Sequence, residues 1–214
     1  MLVVTQQGAM RNGLPTAYGN VMANFELKMA VMEAMTELMK RTPIDDLSVD
    51  RICSAASISR ATFYRHFKDK FAVGQWHVLY CSSLGTAKIG RTLSWREGYY
   101  ITEAAIAEHF DFYVNAAKSK DYNAIDSYAP RMRRETLTET VVDHRKQKLT
   151  ERLKFEIDAT VQLETYLMPH WHYGAYDVSL ETACEWLASM VPHELFELLN
   201  TPLKPGTAQR EARL

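Results

Sequence analysis

Glycine and proline are scarce in this chain, 9 and 7 of 214 residues. An all-β protein of this size needs more of both for its turns, so a helical protein is expected. Cysteine is scarcer still. Cys53, Cys81 and Cys184 are odd in number and far apart, with no Cys-x-x-Cys pair. They read as free buried thiols in a reducing cytoplasm, not as a disulfide framework. No apolar run approaches the roughly 20 residues of a membrane span. The opening MLVVTQQGAMRNG lacks a basic segment followed by a sustained apolar one, so no signal peptide is expected and the location is expected to be cytoplasmic. An excess of one charge is also missing. A net charge of −1 and a pI near 6.7 exclude a wholly basic nucleic-acid coat, while a local basic face remains compatible with them.

What is present is a core and one dense motif. Hydrophobic residues make up 47% of the chain, enough to exclude a disordered protein. The run Ser48 to Lys70, SVDRICSAASISRATFYRHFKDK, reads as two short helices around a tight turn. Ile52, Ala55 and Ala56 repeat at helical spacing, and the small alanines suit a close helix crossing. Ser57 and Ile58 break the pattern, and Ser59 is a good N-cap for a second helix from Arg60 to about His66. Phe63 and Phe67 fall on its inward side. This is the helix-turn-helix pattern, whose second helix enters the DNA major groove. On the outward side Arg60 suits a guanine edge. Thr62, Tyr64, His66, Lys68 and Lys70 offer donors for phosphate oxygens, and Ser48 is placed both to cap the first helix and to bond a phosphate.

The string Ala55 to Lys70 resembles the TetR family of helix-turn-helix transcriptional regulators, whose signature there is G-V-S-x-x-T-x-Y-x-H-F-x-x-K. Ser57 stands where the family has glycine, so a serine is asked to take the turn conformation at some cost. The remainder is similar to the family in being helical and of the right length, and loosely similar to its dihydroxyacetone-kinase-operon regulators. The resemblance implies an all-α protein with an N-terminal three-helix DNA-binding head and a larger helical body for ligand binding and dimerisation. It implies base contacts by Arg60, Ala61 and Tyr64, with Ser48, Thr62, His66, Lys68 and Lys70 on the backbone of double-stranded operator DNA. Asp50 stands where the family often has a base-reading or basic residue, and Arg51 is the substitute there. A homodimer is implied, most often a repressor. The alternative is the same fold acting as a protein-partner-binding co-regulator without specific DNA binding.

The organisation expected is a flexible arm over 1–19, the head over 20–70, the body over 71–202 and a flexible tail over 203–214. Asn20 or Asn24 caps a first helix that ends near Arg41 before Pro43. Ile44 and Leu47 pack beneath the head. A fourth helix runs from Phe71 to about Gly85, and Gly85 and Gly90 bracket a break. One helix is expected over 101–117. Pro130 limits the next, and Arg131, Arg133 and Arg134 beyond it form a solvated basic face. A long helix is expected from His144 to about Leu167, stopped by Pro169, and then an aromatic loop over 168–177. Ser179 caps a final helix, kinked at Pro192. Two long amphipathic helices near the end suit a four-helix dimer interface.

Trp76, Tyr80, Trp95, Tyr99, Phe110, Tyr113, Tyr128, Tyr166 and Trp171 are candidates for the wall of an effector cavity of unknown ligand. His170 and His172, with Asp177 and Cys184 nearby, match no strong zinc spacing, so neither metal nor cofactor is expected. His109 and Asp111 do not share a helix face. Glu103, Glu108 and Asp111 read as surface carboxylates. No Gly-x-Ser-x-Gly, P-loop, His-Glu-x-x-His or dinucleotide fingerprint occurs, so an enzyme is not expected.

Overall fold

The computed structural model describes residues 21–119, 121 and 125–200. The arm and the tail therefore lie outside the described residues, as does Asn20. The described residues form ten α-helices and no strand. None of these helices is long and apolar enough to cross a membrane.

The head is built from α1 (Phe25–Met39), α2 (Val49–Ala55) and α3 (Arg60–His66). Helix α1 buries Val31, Met32, Met35 and Met39. Its N-cap Asn24 does not cap with its side chain; it takes the left-handed conformation, φ 56°, which asparagine tolerates. Pro43 opens a 3₁₀ turn over Ile44–Asp46, and Ile44 and Leu47 are buried beneath the helices. Helix α4 (Phe71–Leu84) follows, with the Asp69 carboxylate accepting the Ala72 N–H at 2.8 Å near its start. The core around Phe63 and Phe67 extends through Val73 and Trp76 of α4 to Phe112 and Ala116. It thus reaches past the expected boundary at residue 70.

Within the body two helices meet at a close approach. Gly85 ends α4 against α5 (Trp95–Ala107), where an added Cβ would lie 2.3 Å from the Gly98 carbonyl oxygen. Only a glycine permits that crossing. Ser94 and Glu97 form a reciprocal capping box at the start of α5. The helix expected over 101–117 is broken: α5 ends at Ala107 and α6 (Phe110–Ala116) starts anew after His109. The break allows Phe112 and Ala116 to reach the head core.

The proline-based limits need correction. Pro130 lies inside α7 (Ile125–Glu139), early enough to forfeit only one intrahelical bond. Helix α7 ends in a π turn, Thr140–His144. The long helix α8 (Glu151–His172) begins later than expected, at Thr150, whose hydroxyl accepts the Leu153 N–H at 3.1 Å. It runs through Pro169, so the aromatic stretch up to His172 is helix and not loop. Ser179 caps α9 (Leu180–Ser189) as expected. Pro192 separates rather than kinks: α10 (His193–Leu199) is a new helix. Its Leu195 N–H is accepted at 2.8 Å by the buried Glu156 of α8. The arginine cluster is not one solvated face. Arg131 is exposed over Tyr128 and Arg134 pairs with Asp158, but Arg133 is buried.

Candidate nucleic-acid interface and internal cavity

The two motif helices are set by their own caps. Ser48 Oγ accepts the Arg51 N–H at 3.3 Å and Ser59 Oγ accepts the Thr62 N–H at 3.0 Å. Between them Ser57 has φ 55°, the left-handed turn that the missing glycine would adopt without penalty. The Ile58 N–H closes the turn on the Cys53 carbonyl at 3.0 Å. Ile52, Phe63 and Phe67 are fully buried, and Ala56 is half-buried. Ala55 is exposed and takes no part in the crossing. Since Ser57 is exposed, Ser57→Gly is expected to raise stability by about 1 kcal/mol, the usual relief of a strained non-glycine residue. Urea denaturation reads this directly, and a loss of stability would refute the strain.

Arg60, Ala61 and Tyr64 are all exposed on one side of α3. The Arg60 guanidinium lies 5.4 Å above the Tyr64 ring and pairs with Asp50 of α2. Asp50, set aside in the sequence as an unsuitable contact, thus orients the arginine that faces outward. The cue was an acid on the first helix and an arginine opening the second. The Thr62 hydroxyl shares a 2.9 Å hydrogen bond with Ser59. His66 is half-buried, and desolvation, then Lys28 and Arg65, lower its pKa. Lys68 is exposed. Lys70 is engaged within the chain: its ammonium donates to the Asp45 and Leu47 carbonyls at 2.6 and 3.0 Å, fastening the 3₁₀ turn under the head.

A cavity of about 490 Å³ lies among α4, α5, α6, α7 and α8. Of the nine candidate aromatics, Tyr99, Phe110 and Tyr113 line it. The other six sit elsewhere. Trp76 bonds the Val21 carbonyl within the head core, and Tyr80 stacks on it. Trp95 is in the body core, and Tyr128 lies under Arg131. Tyr166 is exposed and stacks on His170, and Trp171 bonds the Val178 carbonyl.

The cavity also holds charges that the sequence reading missed. Arg133 meets Glu164 through Nε at 2.8 Å and Nη2 at 2.9 Å, and its Nη1 donates to the Thr86 carbonyl. The Tyr99 hydroxyl donates to Glu164 at 2.7 Å. His172 Nε2 lies 2.9 Å from Glu103, which is buried and not a surface carboxylate. His170 turns the other way, towards the Tyr166 carbonyl. Among the described residues no group of three or more His, Cys, Asp or Glu is placed to hold a metal ion. Behind the wall, His77 Nδ1 lies 2.5 Å from the Tyr113 hydroxyl. Burial, then the His109 charge, pushes His77 down to about 3, so its ring is neutral at physiological pH. The three cysteines are free and buried.

Comparison with known proteins agrees with this arrangement. No curated protein matches the chain significantly by sequence. The solved structure titled "Dihydroxyacetone kinase operon activator DhaS" superposes with a TM-score of 0.56 at 15% identity, covering 82% of this chain and 98% of that one. At that identity the likeness is one of fold. Residues 31–73, from the middle of α1 to the start of α4, match the family of bacterial regulatory proteins called tetR. Those residues, with the two capped motif helices at their centre, resemble the helix-turn-helix head of that family.

Proposed function

We propose that this chain is a sequence-specific DNA-binding transcriptional regulator, a repressor that works as a homodimer and responds to a small molecule in the cavity. The observation that carries the reading is the outward face of α3. Arg60, Ala61 and Tyr64 are exposed together there, on a helix held by its own N-cap. Ser48, Thr62, His66, Lys68 and Lys70 are the proposed backbone contacts, Lys70 after exchanging an internal carbonyl for a phosphate. The proposed division remains a head over 20–70 and a body over 71–202.

Two helices link cavity and head. Helix α4 offers Val78 and Ser82 to the cavity and Val73 and Trp76 to the head core. Helix α6 offers Phe110 and Tyr113 to the cavity and Phe112 and Ala116 to the head core. A ligand that favours one placement of these helices shifts the heads by its difference in affinity for the two states.

The test is binding to the chain's own upstream DNA across a salt series, beside Arg60→Ala and Tyr64→Ala. Wild-type affinity is expected to fall steeply with salt, as released counterions require. Arg60→Ala is expected to cost about 1–3 kcal/mol per half-site, and Tyr64→Ala to weaken binding as well. In a transcription reaction on the bound DNA, added protein is expected to lower the transcript. A rise would make it an activator, as the solved neighbour's title calls that protein.

One observation favours a second reading, a co-regulator that binds a protein partner. Arg60 and Lys70 both make contacts within the chain. A folded dimer that shows no salt-sensitive specific binding on a wide DNA library would establish that reading instead.

A further inference from the structure

The chemistry of the cavity wall restricts what can enter it. Among the described residues Arg133 is its one arginine, and the guanidinium is occupied. Nε and Nη2 form a fork on Glu164, and Nη1 donates to the Thr86 carbonyl. An anionic ligand would have to displace Glu164, which also accepts the Tyr99 hydroxyl. Glu103 is in the opposite position. Its Oε2 faces His172 Nε2 at 2.9 Å, and that is the one hydrogen bond its carboxylate makes among the described residues. Oε1 accepts none among the described residues, on a side chain that is 11% exposed, and it opens on the cavity. An acceptor that faces the cavity is free to take a donor or a cation from a ligand in place of cavity water.

The surroundings favour a cation over a neutral donor. Arg133 offsets Glu164, which leaves Glu103 with only a histidine as partner. Phe110 stacks on the His172 ring with centroids 4.9 Å apart, and Tyr173 stands 5.4 Å from Phe110. These rings and Tyr113 present π faces and edges around the carboxylate side of the cavity. Ile106, Met132, Met168 and Leu187 make much of the remaining wall apolar, with Gln162 and Thr165 among its polar exceptions.

We infer that the cavity takes a small amphipathic ammonium: an apolar or aromatic frame bearing one protonated amine, which Glu103 binds. The ammonium fills the open acceptor and lies against aromatic faces, while the frame occupies the apolar remainder. A carboxylate of the same shape meets Glu103 with like charge, and an alcohol gains only a neutral hydrogen bond. The inference rests on the proposed reading of the cavity as the effector site.

Calorimetric titration of the full chain with 4-phenylbutylamine, 4-phenylbutanol and 4-phenylbutanoate tests it. The amine is expected to bind about tenfold or more tighter than the alcohol, and the carboxylate weakest of the three. Glu103→Gln keeps the shape and removes the charge, so the amine is expected to fall to the level of the alcohol, whose affinity stays unchanged. Alcohol or carboxylate binding as tightly as the amine overturns the charge assignment but leaves the cavity reading standing. An amine preference that survives Glu103→Gln does the same. Heat from none of the three at millimolar concentration overturns the cavity reading and this inference together. If Glu103→Gln does not fold, the wild-type rank order decides alone.

Discussion

Glu164→Ala is expected to lower folding stability by about 3–5 kcal/mol, the usual cost of removing one partner of a buried ion pair. The side chains of Arg133 and Glu164 are 8% and 11% exposed, so neither charge has much water to fall back on. Loss of Glu164 would leave the guanidinium with the Thr86 carbonyl and the Trp95 ring, 5.7 Å away, and would orphan the Tyr99 hydroxyl. Replacing both partners has a different expected result. Arg133→Met with Glu164→Leu removes the desolvated charges as well as their attraction and is expected to recover most of the loss. Urea denaturation of the two single variants and the double variant measures the coupling. A loss below about 1 kcal/mol for Glu164→Ala would mean that cavity water replaces the carboxylate.

The double variant Phe155→Glu, Trp186→Glu is expected to be a folded monomer. Phe155 is 71% exposed on α8 and Trp186 is 51% exposed on α9, with Tyr166 exposed on α8 and Met190 exposed at the C-cap of α9. Phe155 and Tyr166 are eleven residues apart, three helical turns, and so share a face of α8. An apolar aromatic face on two neighbouring helices suits pairing with its own copy in a four-helix arrangement. Central aromatic anchors contribute about 2 kcal/mol or more each, so the double variant is expected to raise the dimer dissociation constant about a thousandfold. Since both side chains are exposed in the single chain, circular dichroism of the monomer is expected to be unchanged. Sedimentation equilibrium reads the outcome. A variant that still dimerises as tightly as the wild type would place the contact on another face.

The motif was legible because its signals are local. Ser48 and Ser59 each cap a helix three residues on, and Ser57 takes the left-handed turn that its place in the signature demands. Phe63 and Phe67 follow from helical spacing alone. The cavity charges were not legible for the opposite reason. Arg133 finds Glu164 31 positions away, and Glu103 finds His172 69 positions away. On its own helix each looks like a solvated charge; only the packing of α5, α7 and α8 removes the water. The prolines misled in a related way. Pro130 and Pro169 fall within two turns of a helix end, where one forfeited backbone bond is tolerated, and a rule for helix interiors overstates their effect. Pro192 opens a new helix rather than kinking one, and Glu156 from α8 receives the Leu195 N–H of that new start.

Helix α6 has only seven residues, yet its two sides belong to different compartments. Phe112 and Ala116 are part of the head core, and Phe110 and Tyr113 wall the cavity. So short a rod in a close-packed interior moves as one body. A lineage that reshapes the cavity at Phe110 or Tyr113 therefore disturbs the seating of α6 against α1 of the head in the same step. New ligand preferences in this scaffold are expected to arise with compensating changes at Val31, Met35 or Ala116. Divergence among descendants of this chain should then show cavity and head-core positions changing in pairs rather than singly.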